Sequence, residues 1–149
     1  MEITNIASLL EKSFKGPAWH GPSVQEALEG ITPKVMSNKI SDSHSIIELV
    51  AHMTTWRNFV TKRLSGDATY EVSNEENFPL ATDWKKTLDD LKKSQETLLA
   101  ALKAFPENKL FTTVPTRKYD FYTMLHGIIQ HDIYHIGQIV LLKKQTKTP

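Results

Sequence analysis

The chain has 149 residues, with 18 lysine and arginine residues, 17 aspartate and glutamate residues and no cysteine. This length fits one domain, residues 1–149, that buries about two-thirds of its unfolded surface. The formal net charge is +1 and the basic residues are dispersed, so nothing indicates a nucleic-acid or membrane partner. Without cysteine there is no disulfide and no thiolate ligand, so a metal would be bound through nitrogen and oxygen.

The N-terminal residues give no sign of a signal peptide. They include Glu2 and lack a basic stretch followed by a long apolar run. No uninterrupted apolar run approaches the roughly 20 residues that a transmembrane helix needs. We therefore expect a soluble, cytoplasmic protein.

Four segments show the 3.6-residue periodicity of amphipathic helices. They cover about residues 2–14, 45–66, 83–104 and 120–144. Helix breakers follow the first three, at Gly16, Gly66 and Pro106. This pattern predicts an all-α fold, namely an antiparallel four-helix bundle, and such bundles bind ligands between facing helices.

A short extra helix is predicted between the first two long helices. Ser23 and Glu26 have the spacing of a capping box, in which each side chain accepts a hydrogen bond from the other residue's backbone. That helix would run through Leu28 and end at Gly30. Residues 108–119, rich in threonine and proline, are predicted to form a loop.

Three histidines form a candidate metal site. His131 and His135 are four residues apart on the last helix, so their Cβ atoms lie about 5–6 Å apart on one face. His52 lies at the apolar side of the second long helix and supplies a third nitrogen. A pair of ordinary core histidines also fits the spacing, but three imidazoles directed at one point are hard to satisfy without an ion. The residues alone therefore leave two interpretations open, a metal site and a set of hydrogen-bonded core histidines.

Glu48, one turn before His52, has two possible roles. Ser45 and Glu48 have capping-box spacing, which explains the glutamate without any chemistry. Alternatively, its carboxylate is a fourth ligand or the catalytic base. The cap is the simpler interpretation. The remaining histidines, His20, His44 and His126, are left out of the metal set.

Other residues near the histidines are expected to be structural. Gln138 lies one turn beyond His135 and can hydrogen-bond there. Trp56 is expected to pack against the site or the core, and Arg57 to pair with an acidic neighbour, with a place at the mouth of the site as the alternative. Asp132 is about 100° around the helix from His131, which disfavours a role in orienting that ring.

The stretches HGIIQHDIYHIGQIVLLKK and HSIIELVAHMTTWRNFV resemble the DinB-like, or DinB/YfiT-like, superfamily, and GPSVQEALEG is similar to its connecting segment. The resemblance spans nearly the whole chain. It implies a bundle with right-handed up-down-down-up connectivity and a zinc or nickel ion bound by His52, His131 and His135. It also implies a homodimer, for which apolar residues such as Ile3, Ile136 and Val140 are candidate contacts.

Characterised members of that superfamily include S-transferases and isomerases that use bacillithiol, mycothiol or glutathione. Three neutral ligands and an open position fit Lewis-acid activation of a thiol or water against a small-molecule electrophile. The chain has no cysteine, so the thiol would be a cosubstrate. The resemblance thus favours a thiol S-transferase, with a hydrolase second. The alternative is a non-catalytic bundle that stores, senses or is held together by its metal.

Overall fold

The computed structural model describes residues 1–145, and within that range it contains helices and no strand. The helices are α1 (Glu2–Lys15), α2 (Val24–Leu28), α3 (Ile46–Leu64), α4 (Asn74–Asn77), α5 (Trp84–Ala104) and α6 (Phe121–Gln145). A 3-10 turn covers Glu107–Lys109. The helical class is confirmed, and the four long segments and the short insertion are found as α1, α3, α5, α6 and α2. The last four residues of the predicted domain lie outside the described range. None of the described helices is long and apolar enough to cross a membrane.

Serine capping boxes start three of the helices. The Oγ atoms of Ser23, Ser45 and Ser73 each accept the backbone N–H of the glutamate three residues later, whose carboxylate accepts the serine N–H. The first two boxes were expected. The third begins α4, which the sequence analysis missed because a four-residue helix is too short to show apolar periodicity.

The long helices enclose an apolar interior in which α1 and α3 each contact both α5 and α6. Two groups of buried side chains divide this interior, and each takes residues from all four long helices. Cluster A includes Ile6, Phe59, Leu102 and Leu125. Cluster B includes Phe14, Val50, Leu91 and Ile139. In α1 the buried face uses Leu10, whereas Leu9 is 50% exposed.

A buried polar network between the two clusters joins every long helix. Arg57 on α3 donates through Nη2 to Asp132 on α6 and through Nη1 to Gln95 on α5. Its guanidinium carbon lies 5.0 Å from the ring centre of Phe14 on α1. The Gln95 amide nitrogen donates to the Leu10 carbonyl of α1 at 3.3 Å. The expected acidic partner of Arg57 is therefore Asp132.

The charges of this network are fully removed from solvent. The side chains of Arg57 and Asp132 each have an exposed fraction of 0%. Burial raises the pKa of Asp132 to about 6, although Arg57 pulls it down. Burial likewise lowers the pKa of Arg57, and Asp132 opposes that shift. Each group is tolerated in the core because the other is present, and removing one partner of such a pair costs about 3–5 kcal/mol.

We expect Arg57→Met to lower the free energy of unfolding by about 3–5 kcal/mol, because Asp132 would be left buried without its partner. Urea denaturation followed by circular dichroism measures this. The matched control is Lys93→Met, which removes an exposed cation from α5 and should change stability by less than about 0.5 kcal/mol.

The double variant Arg57→Met/Asp132→Leu should recover part of the loss, because no charge then remains buried. If Arg57→Met lowered the free energy of unfolding by less than about 1 kcal/mol, the Arg57–Asp132 pair would not be a main stabilising contact of the core.

Candidate metal centre

Three histidines from two helices meet at one point. One ring nitrogen each from His52 on α3 and from His131 and His135 on α6 lie within 4.8 Å of one another. The Nε2 atom of His131 is 3.0 Å from Nε2 of His52 and 3.2 Å from Nε2 of His135. A tetrahedral zinc ion with bonds of about 2.0–2.1 Å holds its ligand nitrogens roughly 3.3 Å apart, so this spacing fits such an ion. The structure brings together the three residues that the sequence singled out.

Hydrogen bonds on the outer side of two rings determine which nitrogen faces the centre. Nδ1 of His52 lies 2.6 Å from the backbone carbonyl oxygen of Asn77. Nδ1 of His135 lies 2.6 Å from the side-chain oxygen of Gln138. Because these oxygens only accept, each Nδ1 carries the hydrogen and each Nε2 presents a lone pair inward.

The inward lone pairs need a positive partner. In its neutral form His131 can donate an Nε2 hydrogen to only one of the other two rings, which leaves a second close contact between two nitrogens unsatisfied. Its Nδ1 is also buried with no hydrogen-bond partner among the described residues. Three convergent imidazole nitrogens, two of them held in the ligand tautomer, are a donor set that a divalent cation completes.

Burial keeps all three rings in the neutral form that binds metals. Burial, followed by repulsion from His135 and His52, lowers the pKa of His131 to about 3. Burial is also the largest cause of the lowered pKa of His52 and of His135, although the hydrogen bonds to Asn77 and Gln138 partly oppose it. These rings therefore present free lone pairs at neutral pH.

The segment around α4 packs against His52. Phe78 stacks between His52 and His44, with ring centres 4.0 and 3.5 Å away. The side-chain oxygen of Asn77 accepts the indole N–H of Trp56 at 2.9 Å. Sequence reasoning missed Asn77 and Phe78, and the only signal was the capping-box spacing that starts α4. Phe78 and Trp56 cover the His52 side of the site.

Glu48 lies in its capping box. Its Oε2 accepts the Ser45 N–H at 2.7 Å and the Ser45 hydroxyl at 3.0 Å. These bonds, with the backbone one contributing most, lower the pKa of Glu48. Within residues 1–145, the group of mutually close ligand atoms contains the three histidines and no carboxylate.

The other histidines lie away from this centre. His126 packs on Tyr122, with ring centres 4.2 Å apart, and its Nδ1 is 3.0 Å from the Tyr122 carbonyl oxygen. The Nε2 atom of His20 is 3.2 Å from the carbonyl oxygen of Pro22. The ring of His44 stacks on Phe78, and His44 is not one of the three histidines whose ring nitrogens converge. Asp132 binds Arg57 rather than a histidine.

A family model for the DinB superfamily matches residues 19–139. That range includes α2 through α5 and all three convergent histidines. Because the match covers most of the chain, the protein belongs to the DinB superfamily, as its histidine motifs indicated. No curated protein and no solved structure matched the chain.

We expect His52→Ala, His131→Ala and His135→Ala each to lower the zinc content of protein that has been loaded and then dialysed. Inductively coupled plasma mass spectrometry measures the number of zinc ions bound per chain. Zinc should also raise the melting temperature of the wild type, since ligand at 100 times its Kd stabilises the native state by about 2.7 kcal/mol.

His126→Ala is the matched control, because this histidine lies on α6 outside the convergent group. It should retain the wild-type stoichiometry. Unchanged zinc content in all three single variants would exclude this centre as the binding site.

Proposed function

We propose that the protein is a metal-dependent enzyme in which His52, His131 and His135 hold a divalent cation, zinc or nickel. The convergence of three histidine nitrogens, in a group of close ligand atoms that contains no carboxylate from the described residues, carries this proposal. Sites with three protein ligands and an open position are typical of catalysis, whereas closed four-ligand sites are typical of structural metals. When bound, the cation supplies Lewis-acid activation of a thiol or water nucleophile.

The chain's own residues orient the ligands and shield them. Asn77 and Gln138 keep His52 and His135 in the tautomer that directs Nε2 inward. Phe78 covers the face of His52 and limits the access of water from that side. These contacts support a preorganised centre, in which ligand geometry is set before the cation arrives.

We propose that a low-molecular-weight thiol, or water, attacks a small-molecule electrophile and displaces a leaving group, which departs with the electrons of the bond that breaks. Membership of the DinB superfamily supports the S-transferase version, and the absence of cysteine makes the thiol a cosubstrate. The nucleophile's proton would pass to Glu48 or to solvent. Because capping lowers the pKa of Glu48, that carboxylate is a weak base and the solvent route is favoured.

The second candidate is a non-catalytic metal-binding bundle. One observation favours it: the three histidines come from α3 and α6, so a cation would tie these two helices together even without turnover. X-ray absorption spectroscopy distinguishes the two, since a structural site would show four protein ligands and a catalytic one an exchangeable position.

We further propose a single domain, residues 1–149, with up-down-down-up order of the long helices. Cluster A combines residues from the first three turns of α1 and the first half of α6 with residues from the second halves of α3 and α5. Cluster B combines the opposite halves. This supports α1 and α6 running one way and α3 and α5 the other.

We expect the metal-loaded protein to turn over chlorodinitrobenzene with glutathione, bacillithiol or mycothiol, or to hydrolyse activated esters. The change in absorbance as product forms measures the rate of either reaction. Activity should fall to the uncatalysed background in His131→Ala, because the nucleophile is no longer activated. It should persist in His126→Ala. Equal turnover by His131→Ala and the wild type would remove the centre from the reaction.

A homodimer is also proposed, on the family resemblance. Ile3 and Ile136, which sequence analysis assigned to the dimer contact, are only 8% and 3% exposed within one chain. The better candidates are Tyr134 and Leu141, which are 67% and 63% exposed and lie seven residues apart on one face of α6. They form an apolar strip that a twofold partner would cover.

Light scattering should therefore give twice the chain mass of 17.0 kDa at micromolar concentration. Leu141→Lys should shift the mass to that of one chain, because a charge would enter the contact. The control is Leu80→Lys, at a leucine that is 92% exposed and lies outside the long helices. A wild-type mass of one chain would contradict the dimer.

A further inference from the structure

An apolar cavity of about 280 Å³ lies beside the histidine centre, between α3 and α6. Among the described residues, its lining includes no carboxylate, ammonium or guanidinium group. The main walls are Trp56, Phe59, Tyr119, Met124 and Ile128, with Gly127 in the α6 side. The polar groups of the lining are the indole N–H of Trp56 and the side chains of Tyr119, Thr123 and His131.

His131 belongs both to this cavity and to the metal centre. It lines the cavity, and its Nε2 lies 3.0 Å from the corresponding nitrogen of His52. The Trp56 ring centre is 6.4 Å from that of His131. Because Asn77 already accepts the Trp56 N–H, the indole faces a ligand as an apolar surface. A molecule in the cavity would therefore lie against the ring of His131.

We propose that this cavity is the substrate pocket of the metal centre and accepts an uncharged aromatic or branched apolar group of the electrophile. The proposal rests on the proposed function for its link to catalysis. The volume is nearly twice that of the ~150 Å³ cavity that binds benzene, so a bicyclic aromatic group or a substituted phenyl ring fits.

The same lining excludes the charged parts of a peptidic thiol. A carboxylate placed in the cavity would lose its hydration, and none of the lining side chains carries a positive charge to compensate for that loss. The thiol cosubstrate would therefore approach the centre from outside the cavity, leaving the pocket to the electrophile. With this arrangement, the pocket selects electrophiles by their size and polarity.

Gly127 offers a way to fill the cavity without disturbing the helix. It lies one turn before His131, and a Cβ atom built there meets no atom within 4 Å. Alanine at the same position adds a single methyl group and leaves most of the cavity open. Alanine and leucine gain similar helix propensity over glycine, so a difference between the two variants reports the cavity.

The experiment measures binding of N-phenyl-1-naphthylamine, an uncharged fluorescent aromatic probe, to the full chain with and without zinc. The wild type and Gly127→Ala should bind one equivalent with similar Kd. Gly127→Leu should bind at least about tenfold more weakly, because leucine occupies the space. Thermal denaturation and zinc content should show that all three proteins fold and load equally.

A second measurement links the pocket to catalysis. In a series of activated esters or aryl electrophiles of increasing apolar size, the wild type should show rising kcat/KM. Gly127→Leu should retain activity on the smallest members and lose it on the largest.

The outcomes separate the two proposals. Failure of the wild type to bind the probe, or equal binding by Gly127→Leu, overturns the pocket whatever the metal content. Probe binding that Gly127→Leu abolishes, in a protein that takes up neither zinc nor nickel, supports an apolar ligand site but overturns the proposed function and the substrate role with it.

Discussion

The buried contact between Arg57 and Asp132 is the constraint on which the rest of the structure depends. Through Gln95 and the ring of Phe14, this one guanidinium reaches all four long helices. Arg57 follows His52 by five residues and Asp132 follows His131 directly. The bond that sets the register of α3 against α6 therefore also sets where these two histidines meet. An apolar pair could fill the same volume, but it would not specify one register through directed hydrogen bonds.

The histidine centre shows how a few outer contacts determine the chemistry of inner atoms. Two oxygen acceptors fix the hydrogen on Nδ1 of His52 and His135, and burial holds the rings neutral. One acceptor belongs to α6 and the other to the last residue of α4, so the centre needs the short helix α4 as well as α3 and α6. Although α4 has only four residues, it therefore supplies one of the two acceptors that fix these tautomers.

The segment that precedes α4 is bound to residues that pack on a wall of the cavity. Glu71, in the segment before α4, binds Arg63 at 2.7 Å and also Arg117, which precedes α6. The guanidinium carbons of Arg63 and Arg117 lie 4.6 and 5.1 Å from the ring centre of Phe59, a wall residue. The segments that precede α4 and α6 are therefore bound to each other and to a wall of the cavity.

The sequence by itself determined the features that are encoded within one or two turns. Capping boxes at Ser23 and Ser45, and breakers such as Gly16, set the helix ends within about two residues. The four-residue spacing of His131 and His135 likewise placed both rings on one side of α6, because helical geometry alone decides it.

Only the tertiary structure decided which of these elements meet. The pairing of His52 with His131, and the carbonyl of Asn77 behind His52, join residues far apart in the chain, whose spacing in the sequence carries no distance information. Packing also reversed one expectation: Ile3 and Ile136 looked available for a partner chain, but they are buried in the core. An apolar periodicity shows that a face is covered, and only the arrangement of the helices shows by what.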